Sequence, residues 1–417
     1  MISADFAPNE ELNDAWISFK LLFQPWKWRK GEELNLVKKK ILKKMLQTTN
    51  YKLQTFLFLT GRSALYHLLH SLDLSANDEV IVQGFTCEAV ILPILANKLK
   101  PIYVDIETQT YSINPIELVK KITSKTRVVI LQHTFGLTPA ARSKVLSVIR
   151  RHNLVLIEDI AHGYSQDLLD ALNRDQIPNH YLLMSFGRSK ALSSVFGGAI
   201  VSSEIVITSK LQRIVNSLSS ASLTFIARLL VYKPLSVLIK KTYDSGIGKM
   251  IHRIIQTSKL FIPEITQKEK GGIYDYLLDK AYPNGLAITL LNQLSNYEQV
   301  KQYRASICSL YQKKLVSSIN PEFVRLKSNI SLLRYPILVE DPNFILNKTS
   351  RKNIFLGSWY NQVVAPKSVP LPKMKYKIGE CPKAEEICKR IINLPTNISH
   401  QEALKVVDLL NEYSRSK

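Results

Sequence analysis

One lysine of this chain lies in a setting that suits covalent chemistry. Lys190 ends the segment 185–190, on a turn between the β-rich runs 181–185 and 199–201. Burial and nearby cations lower the pKa of a lysine and leave a neutral, nucleophilic amine. The glycine pair 197–198 lets the backbone turn tightly into the second run. The pattern therefore predicts that Lys190 forms a Schiff base with a carbonyl group.

An aspartate and a histidine follow another apolar run. Asp159 comes two residues after the run 154–157, and His162 comes three residues later. A carboxylate at the end of a buried strand can keep a pyridine nitrogen protonated, which turns a pyridoxal cofactor into an electron sink. Asp159 is the candidate for that role, and a helix cap or a salt bridge is the alternative. His162 would hydrogen-bond the phenolic oxygen of the cofactor or be an ordinary hydrogen-bonded histidine.

A third group of polar residues lies where a β-rich run ends and a helical pattern begins. Gly61 permits close backbone approach, the free amides of a helix start attract an anion, and Arg62 and Ser63 add a charge and a hydroxyl. This combination predicts a phosphate site, although Ser63 would serve equally well as an ordinary helix N-cap. The chain contains neither GxxxxGK[ST] nor a GxGxxG after a strand, so the common nucleotide motifs are excluded.

The elements that must position these residues alternate in type. Between residues 56 and 203, short β-rich runs alternate with helix-period segments, which is typical of βαβ units around a mostly parallel sheet. Because sites in such sheets gather at the carboxyl ends of the strands, we expect the three groups to meet there. The predicted strands are 56–59, 80–82, 102–104, 128–131, 154–157, 181–185 and 199–201, and the predicted helices between them include 63–72, 88–99, 115–122 and 142–151.

The remainder of the chain divides into three parts. We predict an N-terminal arm and helix over 1–50, a large domain over 51–285 and a small α+β domain over 286–417. Within the large domain, 204–280 departs from the βαβ rhythm and is interpreted as a packed insertion or lid. Charged residues and a proline interrupt its apolar part, so it is not a membrane span. The alternative is a helix pair, 221–262, that lies on an anionic membrane surface.

Composition narrows the class of protein. The 417 residues carry a formal net charge of +22, spread along the chain, and no aromatic-basic RNA signature or helix-turn-helix pattern accompanies it, so nucleic acid is not expected as a partner. Cys87, Cys308, Cys381 and Cys388 lack the paired spacing of a zinc site, and no metal is expected. Free cysteines and an N-terminus without a signal-peptide pattern favour the cytoplasm.

At these residues the sequence resembles the DegT/DnrJ/StrS family, often called the sugar aminotransferase family. The resemblance extends beyond the three groups and touches most of the chain, with 204–280 as its weak region. It is carried further by the segments 78–82, 85–86, 101–106 and 132–136, and near the C-terminus by 381–385 and 393–395.

The resemblance implies an α/β fold of the aspartate-aminotransferase type, fold type I of the pyridoxal phosphate (PLP) enzymes. Such enzymes have a large domain with a seven-stranded, mostly parallel sheet and a small C-terminal domain, and they form homodimers with active sites at the subunit interface. By position in the family pattern, Lys190 is the Schiff-base lysine, Asp159 binds the pyridine nitrogen and His162 lies near the ring. Ser185 joins Gly61, Arg62 and Ser63 around the cofactor phosphate, so all of these are expected to bind PLP.

Two positions depart from the family pattern. Many members have an aromatic residue at Cys87 to stack on the cofactor ring, so the ring here would be covered by Cys87 itself or by Phe85. Residues 194–196 stand where sugar enzymes often carry a glutamate before the glycine pair. Cys87 as a reactive thiol is the less favoured interpretation, since a small buried side chain is more common.

The activity that the resemblance implies is PLP-dependent transamination in nucleotide-sugar or polysaccharide biosynthesis. The amino donor would be an amino acid, with glutamate expected, and the acceptor a keto sugar, expected to be nucleotide-linked. A PLP-dependent sugar dehydratase or lyase is the nearest alternative. Lys190 argues against the dehydratases that carry histidine at this position. A PLP-binding regulator without catalytic activity is the alternative from another class.

Overall fold

The computed structural model describes residues 1–45, 53–164, 168, 178–316 and 330–415. Its centre is a seven-stranded sheet with the order β2-β8-β7-β6-β5-β3-β4. The strands from β3 to β7 pair in parallel, whereas β8 runs antiparallel to both β7 and β2. This confirms the predicted fold class. The sheet strands are β2 Gln54–Phe58, β3 Glu79–Gln83, β4 Lys100–Val104, β5 Thr126–Gln132, β6 Val155–Asp159, β7 His180–Ser185 and β8 Gly198–Ser202, and β1 is Ile2–Ser3.

Helices cover both faces of this sheet, which explains why the centres of its strands are apolar. In β3, Val80 and Val82 face one apolar core and Ile81 faces another. The alternation follows from the two-residue period of a strand. The helices that alternate with these strands are α3 Gly61–Ser71, α4 Glu88–Ala96, α5 Pro115–Lys121 and α6 Arg142–Arg151, and two helices, α1 Leu12–Leu22 and α2 Glu33–Met45, precede them.

Residues 204–280 form a helical layer on the large sheet domain. Its helix α8, Leu223–Leu230, packs against α1. Helix α9, Tyr232–Thr242, packs between α1 and α10, Ile247–Ser258. In the part of the chain that the structure describes, no helix has both the length and the apolarity needed to cross a membrane. The helices of this layer are α7 Ile205–Ser217, α8 Leu223–Leu230, α9 Tyr232–Thr242, α10 Ile247–Ser258 and α11 Gln267–Lys270.

The C-terminal part begins with a long helix and contains a small antiparallel sheet. The predicted boundary after residue 285 falls in the first turn of α12, Asn284–Lys314, and the division into domains stays a prediction. Strand β9 pairs with β11, and the short β10 pairs with β1, so the N-terminus is joined to this part of the fold. The remaining elements are β9 Arg334–Leu338, α13 Pro342–Ser350, β10 Ile354–Phe355, α14 Pro382–Arg390, β11 Ile391–Pro395 and α15 His400–Arg415.

Candidate active site

A cavity of about 270 Å³ lies at the carboxyl edge of the large sheet. Strands β2 and β7 end there, and β8 begins there, because β8 is antiparallel to both. Five of the predicted site residues line the cavity, namely Gly61, Arg62, Cys87, Ser185 and Lys190. The other lining residues are Asp5, Thr60, Glu88, Ala89, Gly187, Ser189, Phe196, Gly197, Glu264, Ile265, 358–361, Ala365 and Pro366.

Lys190 is held in the cavity wall by contacts of its backbone. Its amide donates to the carbonyl of Gly187 at 3.1 Å, and its own carbonyl accepts a hydrogen bond from the side-chain amide of Asn9. The Nζ atom lies 4.8 Å from the centroid of the Trp359 ring. Three separate parts of the chain therefore contact Lys190, two at its backbone and one at its amine.

The insertion 204–280 holds the turn that carries this lysine. The Arg188 guanidinium donates to the carbonyl of Ile262 and lies 4.2 Å from the ring centroid of Tyr232. The backbone amide of Ser189 donates to the Glu264 carboxylate at 3.3 Å. Sequence reasoning did not assign Glu264 or Ile265 to the site, because the resemblance to known enzymes fades in this segment.

Asp159 is a buried carboxylate without a cationic partner. Its Oδ1 accepts one hydrogen bond, from the amide of Ala161 at 3.0 Å, and only 5% of the residue is exposed. It forms no ion pair within the described ranges. Burial raises the pKa of this carboxyl, and the Ala161 amide and the Lys190 charge oppose that rise. The salt-bridge interpretation therefore finds no support among the described residues, and the buried carboxylate would gain from a cationic ligand.

His162 supports the aromatic wall of the cavity. Its Nδ1 accepts from the amide of Phe135 at 3.0 Å, and its Nε2 lies 3.1 Å from the hydroxyl of Tyr360. Burial and the charges of Lys190 and Arg334 hold the pKa of the histidine well below its ordinary value. The neutral ring then carries its proton on Nε2 and donates it to Tyr360. Both nitrogens are occupied, so a contact with the phenolic oxygen of a cofactor stays a prediction.

The start of α3 lines the cavity and has backbone amides that could bind an anion. The helix is capped by Thr60, whose hydroxyl accepts from the amide of Ser63 at 3.0 Å. The amides of Gly61 and Arg62 lie in the first turn, where no acceptor exists within the helix. A Cβ atom on Gly61 would lie 2.9 Å from the Cβ of Ser185. Glycine is therefore required for the close approach that brings these amides beside Ser185.

The side chains of Arg62 and Ser63 already have partners. Arg62 donates to the Glu269 carboxylate at 2.6 Å and to the carbonyl of Glu264. The hydroxyl of Ser63 donates to Asp279 at 2.7 Å, and Ser63 does not line the cavity. The N-cap interpretation of Ser63 is wrong because Thr60 is the cap. Contact of either side chain with a phosphate stays a prediction.

The predicted ring-covering residues differ in their placement. Cys87 lies on the wall, and burial raises the pKa of its thiol to about 11, so the thiol stays protonated and unreactive at neutral pH. Phe85 is fully buried behind the wall, with its ring 5.1 Å from that of Tyr360. Trp359 lies on the wall and stacks on Tyr360, with ring centroids 5.6 Å apart. Trp359 is a site residue that sequence reasoning missed.

Glu88 is a second residue that sequence reasoning missed. It begins α4, lines the cavity and is 2% exposed. Burial raises the pKa of its carboxyl to about 7, against the opposing charges of Arg62 and Lys190. The available signal was an acidic residue at the start of an otherwise apolar helix.

These groups fit pyridoxal phosphate. Lys190 supplies an amine, Asp159 supplies a buried carboxylate that lacks a cation, and Gly61 with Ser185 supplies a crowded anion site that a Cβ would fill. An amine, a carboxylate and an anion site are what the aldehyde, the pyridine nitrogen and the phosphate of this cofactor require.

Comparison with known proteins gives the same assignment. The profile of the DegT/DnrJ/EryC1/StrS aminotransferase family matches residues 56–222 and 283–411. The chain is 36% identical over 104 residues, 25% of this chain and 28% of the relative, to dTDP-3-amino-3,6-dideoxy-alpha-D-galactopyranose transaminase of Aneurinibacillus thermoaerophilus. It is 23% identical over 345 residues, 80% of this chain and 78% of the relative, to an uncharacterized protein of Methanocaldococcus jannaschii. The matches to the first curated relatives span about a quarter of those proteins.

Solved structures share the fold over nearly the whole chain. NtdA of Bacillus subtilis, with bound cofactor PMP, has a TM-score of 0.70 and 18% identity, and the match covers 97% of this chain and 82% of that protein. The sugar aminotransferase CalS13 of Micromonospora echinospora has a TM-score of 0.69 and 15% identity, with 99% and 100% covered. At this identity the likeness shows the fold.

Proposed function

We propose that this chain, which belongs to the DegT/DnrJ/EryC1/StrS aminotransferase family, moves an amino group from an amino acid to a keto sugar with PLP as cofactor. One observation carries the proposal. The Lys190 amine and the capped start of α3 line one cavity, and the buried carboxylate of Asp159 lies close enough to Lys190 for the lysine charge to act on it. Glutamate is the expected donor, since the site gives no reason to depart from the family pattern.

The proposed acceptor is a nucleotide-linked keto sugar. One relative is named as a transaminase of a dTDP-linked aminosugar, and another as an L-glutamine:scyllo-inosose aminotransferase. The formal net charge of +22 would attract a diphosphate-bearing acceptor. These observations support a sugar-like, oxygen-rich acceptor and favour the nucleotide-linked form.

In the proposed mechanism, Lys190 would hold the carbonyl group of the cofactor, Asp159 would hold the ring nitrogen, and Gly61 with Ser185 would hold the phosphate. When bound, pyridoxal phosphate supplies a carbonyl for condensation with amines and a ring that withdraws electrons. The Lys190 Nζ atom, once free, accepts a proton from the reacting carbon and returns it. Burial raises the pKa of Asp159, so a cation beside it would favour its negatively charged form.

Neighbouring residues border this amine and hold the backbone that carries it. Trp359 and Tyr360 form the aromatic wall beside Nζ, and Asn9 fixes the Lys190 carbonyl. A fixed amine can reach the reacting carbon without a search, which is the main advantage of a preorganised site.

A dehydratase is the alternative within the same cofactor class. The chain is 28% identical over 148 residues to dTDP-4-dehydro-2,6-dideoxy-D-glucose 3-dehydratase of Saccharopolyspora spinosa. A lysine at position 190 favours transamination, because it can take and return the proton that amino transfer requires. A regulator without catalytic activity would bind the cofactor and fail the donor test below.

The experiment compares the wild type with Lys190→Ala and with Lys125→Ala, a control at an exposed lysine. Each protein is incubated with PLP, reduced with borohydride, and mapped by mass spectrometry. We expect a visible absorption band and a covalent adduct at Lys190 in the wild type and the control, and neither in Lys190→Ala. Glutamate should then convert the visible band of the wild type and release 2-oxoglutarate. An adduct at another lysine, or none, would disprove the assignment.

We also propose a homodimer and a cytoplasmic location. The resemblance to the family supports the dimer, and light scattering should give twice the chain mass of 47.5 kDa. The four cysteines are free thiols, as expected in a reducing compartment.

We retain membrane contact through 221–262 as a proposal. Helix α10 exposes Ile247, Met250 and Ile254 beside the exposed Lys249 and Arg253. Replacing the three apolar residues with serine should weaken binding to anionic vesicles.

A further inference from the structure

The N-terminal helix α1 and the turn after it expose a continuous stripe of large apolar side chains. Their spacing of four, three, four and three residues places them on one side of a helix. In most proteins this face would be polar, since a helix on the surface buries one apolar stripe and exposes the rest. The stripe consists of Leu12, Trp16, Phe19, Phe23 and Trp26, which are 60%, 55%, 41%, 67% and 72% exposed.

Helix α1 packs on the rest of the protein through the face opposite the stripe. The opposite side of α1 buries Ala15, Ser18 and Leu21, and the Ser18 hydroxyl donates to the carbonyl of Leu230 in α8 at 2.7 Å. The exposed rings also pack on each other. Phe19 lies 5.8 Å from Trp16 in a stacked arrangement and 5.3 Å from Phe23 edge to face. The fold therefore fixes this aromatic surface toward the outside.

Most of the stripe lies in a basic stretch of the chain. Between residues 15 and 31 the sequence contains no aspartate or glutamate. The cations in this stretch are Lys20, Lys27, Arg29 and Lys30, all exposed. Lys20 also lies over the Trp16 ring, with its Nζ 4.9 Å from the centroid. Aromatic rings and basic groups thus share one surface.

We propose that α1 and the following turn dock the protein on an anionic lipid bilayer. Tryptophan and phenylalanine rings insert at the depth of the lipid headgroups, where one part of the surroundings is apolar and another is wet. The four cations are placed to contact lipid phosphates, and each basic residue near an anionic surface adds favourable energy. The inference goes beyond the proposed transamination and does not depend on it.

Charge favours a bilayer over a second copy of the chain as the occupant. A two-fold contact of this patch would bring together the four cations of each copy. No acid between residues 15 and 31 is available to neutralise them. An anionic bilayer supplies the missing negative charge and an apolar interior for the rings.

The test is flotation of the full-length, cofactor-loaded protein with phosphatidylglycerol/phosphatidylcholine vesicles and with phosphatidylcholine vesicles alone. We expect the wild type to float with the anionic vesicles only. The triple variant Trp16→Ser, Phe23→Ser, Trp26→Ser should bind at least tenfold more weakly. The matched control, Ile116→Ser with Val119→Ser, removes exposed apolar residues from α5 and should bind as the wild type does.

A second measurement distinguishes insertion from a loss of folding. Brominated lipids quench tryptophan emission on contact, so vesicles that contain them should quench the wild type. The variant Trp16→Phe, Trp26→Phe keeps the aromatic surface and should still float, yet its emission should escape quenching. The proposal is overturned if the wild type stays at the bottom of the gradient or if the serine variant floats equally well. It is also overturned if light scattering gives the serine variant half the mass of the wild type while the wild type binds no vesicles. The stripe would then be a contact between two copies of the chain.

Discussion

Glu88 occupies a position in which its carboxyl group loses most of its water. The residue is 2% exposed, and burial outweighs the attraction of Arg62 and Lys190, which raises its pKa to about 7. In the unfolded chain the same group has a pKa of 4.5. The folded protein therefore binds the carboxyl proton of Glu88 more tightly than the unfolded chain does. The resulting contribution to stability is complete below pH 4.5 and is lost as the pH rises through 7.

We therefore expect Glu88→Gln to be more stable than the wild type at pH 8, by up to about 3 kcal/mol. At pH 4.5 the two free energies of unfolding should be similar, because the carboxyl is then largely protonated. The measurement is urea unfolding of both apoproteins at the two pH values. Glu117→Gln, which changes an exposed carboxyl, should show no such difference. An equal difference between Glu88→Gln and wild type at both pH values would contradict the prediction.

Single site residues could be predicted from the sequence where they lie shortly after a predicted strand. Gly61 and Lys190 come shortly after strands β2 and β7, so the sheet brings them to one cavity. Trp359 comes from a loop far along the chain, and no periodicity indicates that this loop folds over the lysine. The partner of Arg62 was also hidden, since Glu269 lies in a segment whose packing only the three-dimensional structure reveals.

At the scale of elements, the site depends on the close approach of β8 to the start of α3. A Cβ on Gly198 would lie 2.5 Å from the amide nitrogen of Gly61 and 2.5 Å from the carbonyl of Thr60. Both atoms are backbone, so they cannot move aside as the end of a side chain would. The glycine at 198 therefore fixes how closely the anion site approaches the lysine turn.

We expect Gly198→Ala to destabilise the protein by about 2 kcal/mol, since overpacking forces the backbone to shift. The same shift should weaken the affinity for PLP at least severalfold. Gly285→Ala is the matched control. Gly285 lies in α12, and a Cβ there would be 3.6 Å from its nearest neighbour, which is an ordinary contact distance. That control should be neutral or more stable by about 0.5 kcal/mol. Unfolding in urea and fluorescence titration with PLP measure both effects. Equal behaviour of the two variants would disprove the role of the contact.

The elements of the large sheet were predictable and those of 204–280 were less so. All seven predicted strands correspond to strands of the sheet, because strands covered on both faces have apolar centres. Residues 204–280 form helices that pack on α1 and on each other, and their apolar positions suited a lid, an insertion or a membrane surface equally. Which face of each helix in 204–280 is buried depends on neighbouring elements that are distant in sequence.

At the scale of the whole molecule, residues 2–10 join parts of the chain that are far apart in sequence. Strand β1 pairs with β10, and Asp5 pairs with Arg334 of β9. Asn9 contacts both the Lys190 carbonyl and the guanidinium of Arg304. The N-terminal segment thus connects the small C-terminal sheet with the turn of the active lysine. Such contacts leave no periodic signal in a single sequence.

Glu10 completes this connection through a fully buried ion pair. Its carboxylate accepts from the ammonium of Lys233, and both side chains are entirely buried. Lys233 also donates to the carbonyl of Ser193 at 3.0 Å, and the Ser193 hydroxyl donates to Glu10 at 2.9 Å. The pair therefore joins the N-terminal segment to α9 and to the chain three residues after Lys190.

Removing one partner should leave the other charge buried and unpaired, which typically costs about 3–5 kcal/mol. We expect Glu10→Gln and Lys233→Met each to lower the free energy of unfolding by about that amount. The double variant should cost clearly less than the two single changes together, because neither charge then remains without a partner. Urea unfolding of the four proteins gives this coupling.

The fraction of chains trapped with PLP by borohydride should fall in the single variants and recover in the double, since the ion pair supports the lysine turn. Additive costs in the double variant, or single costs below about 1 kcal/mol, would show that the pair does not hold these parts together.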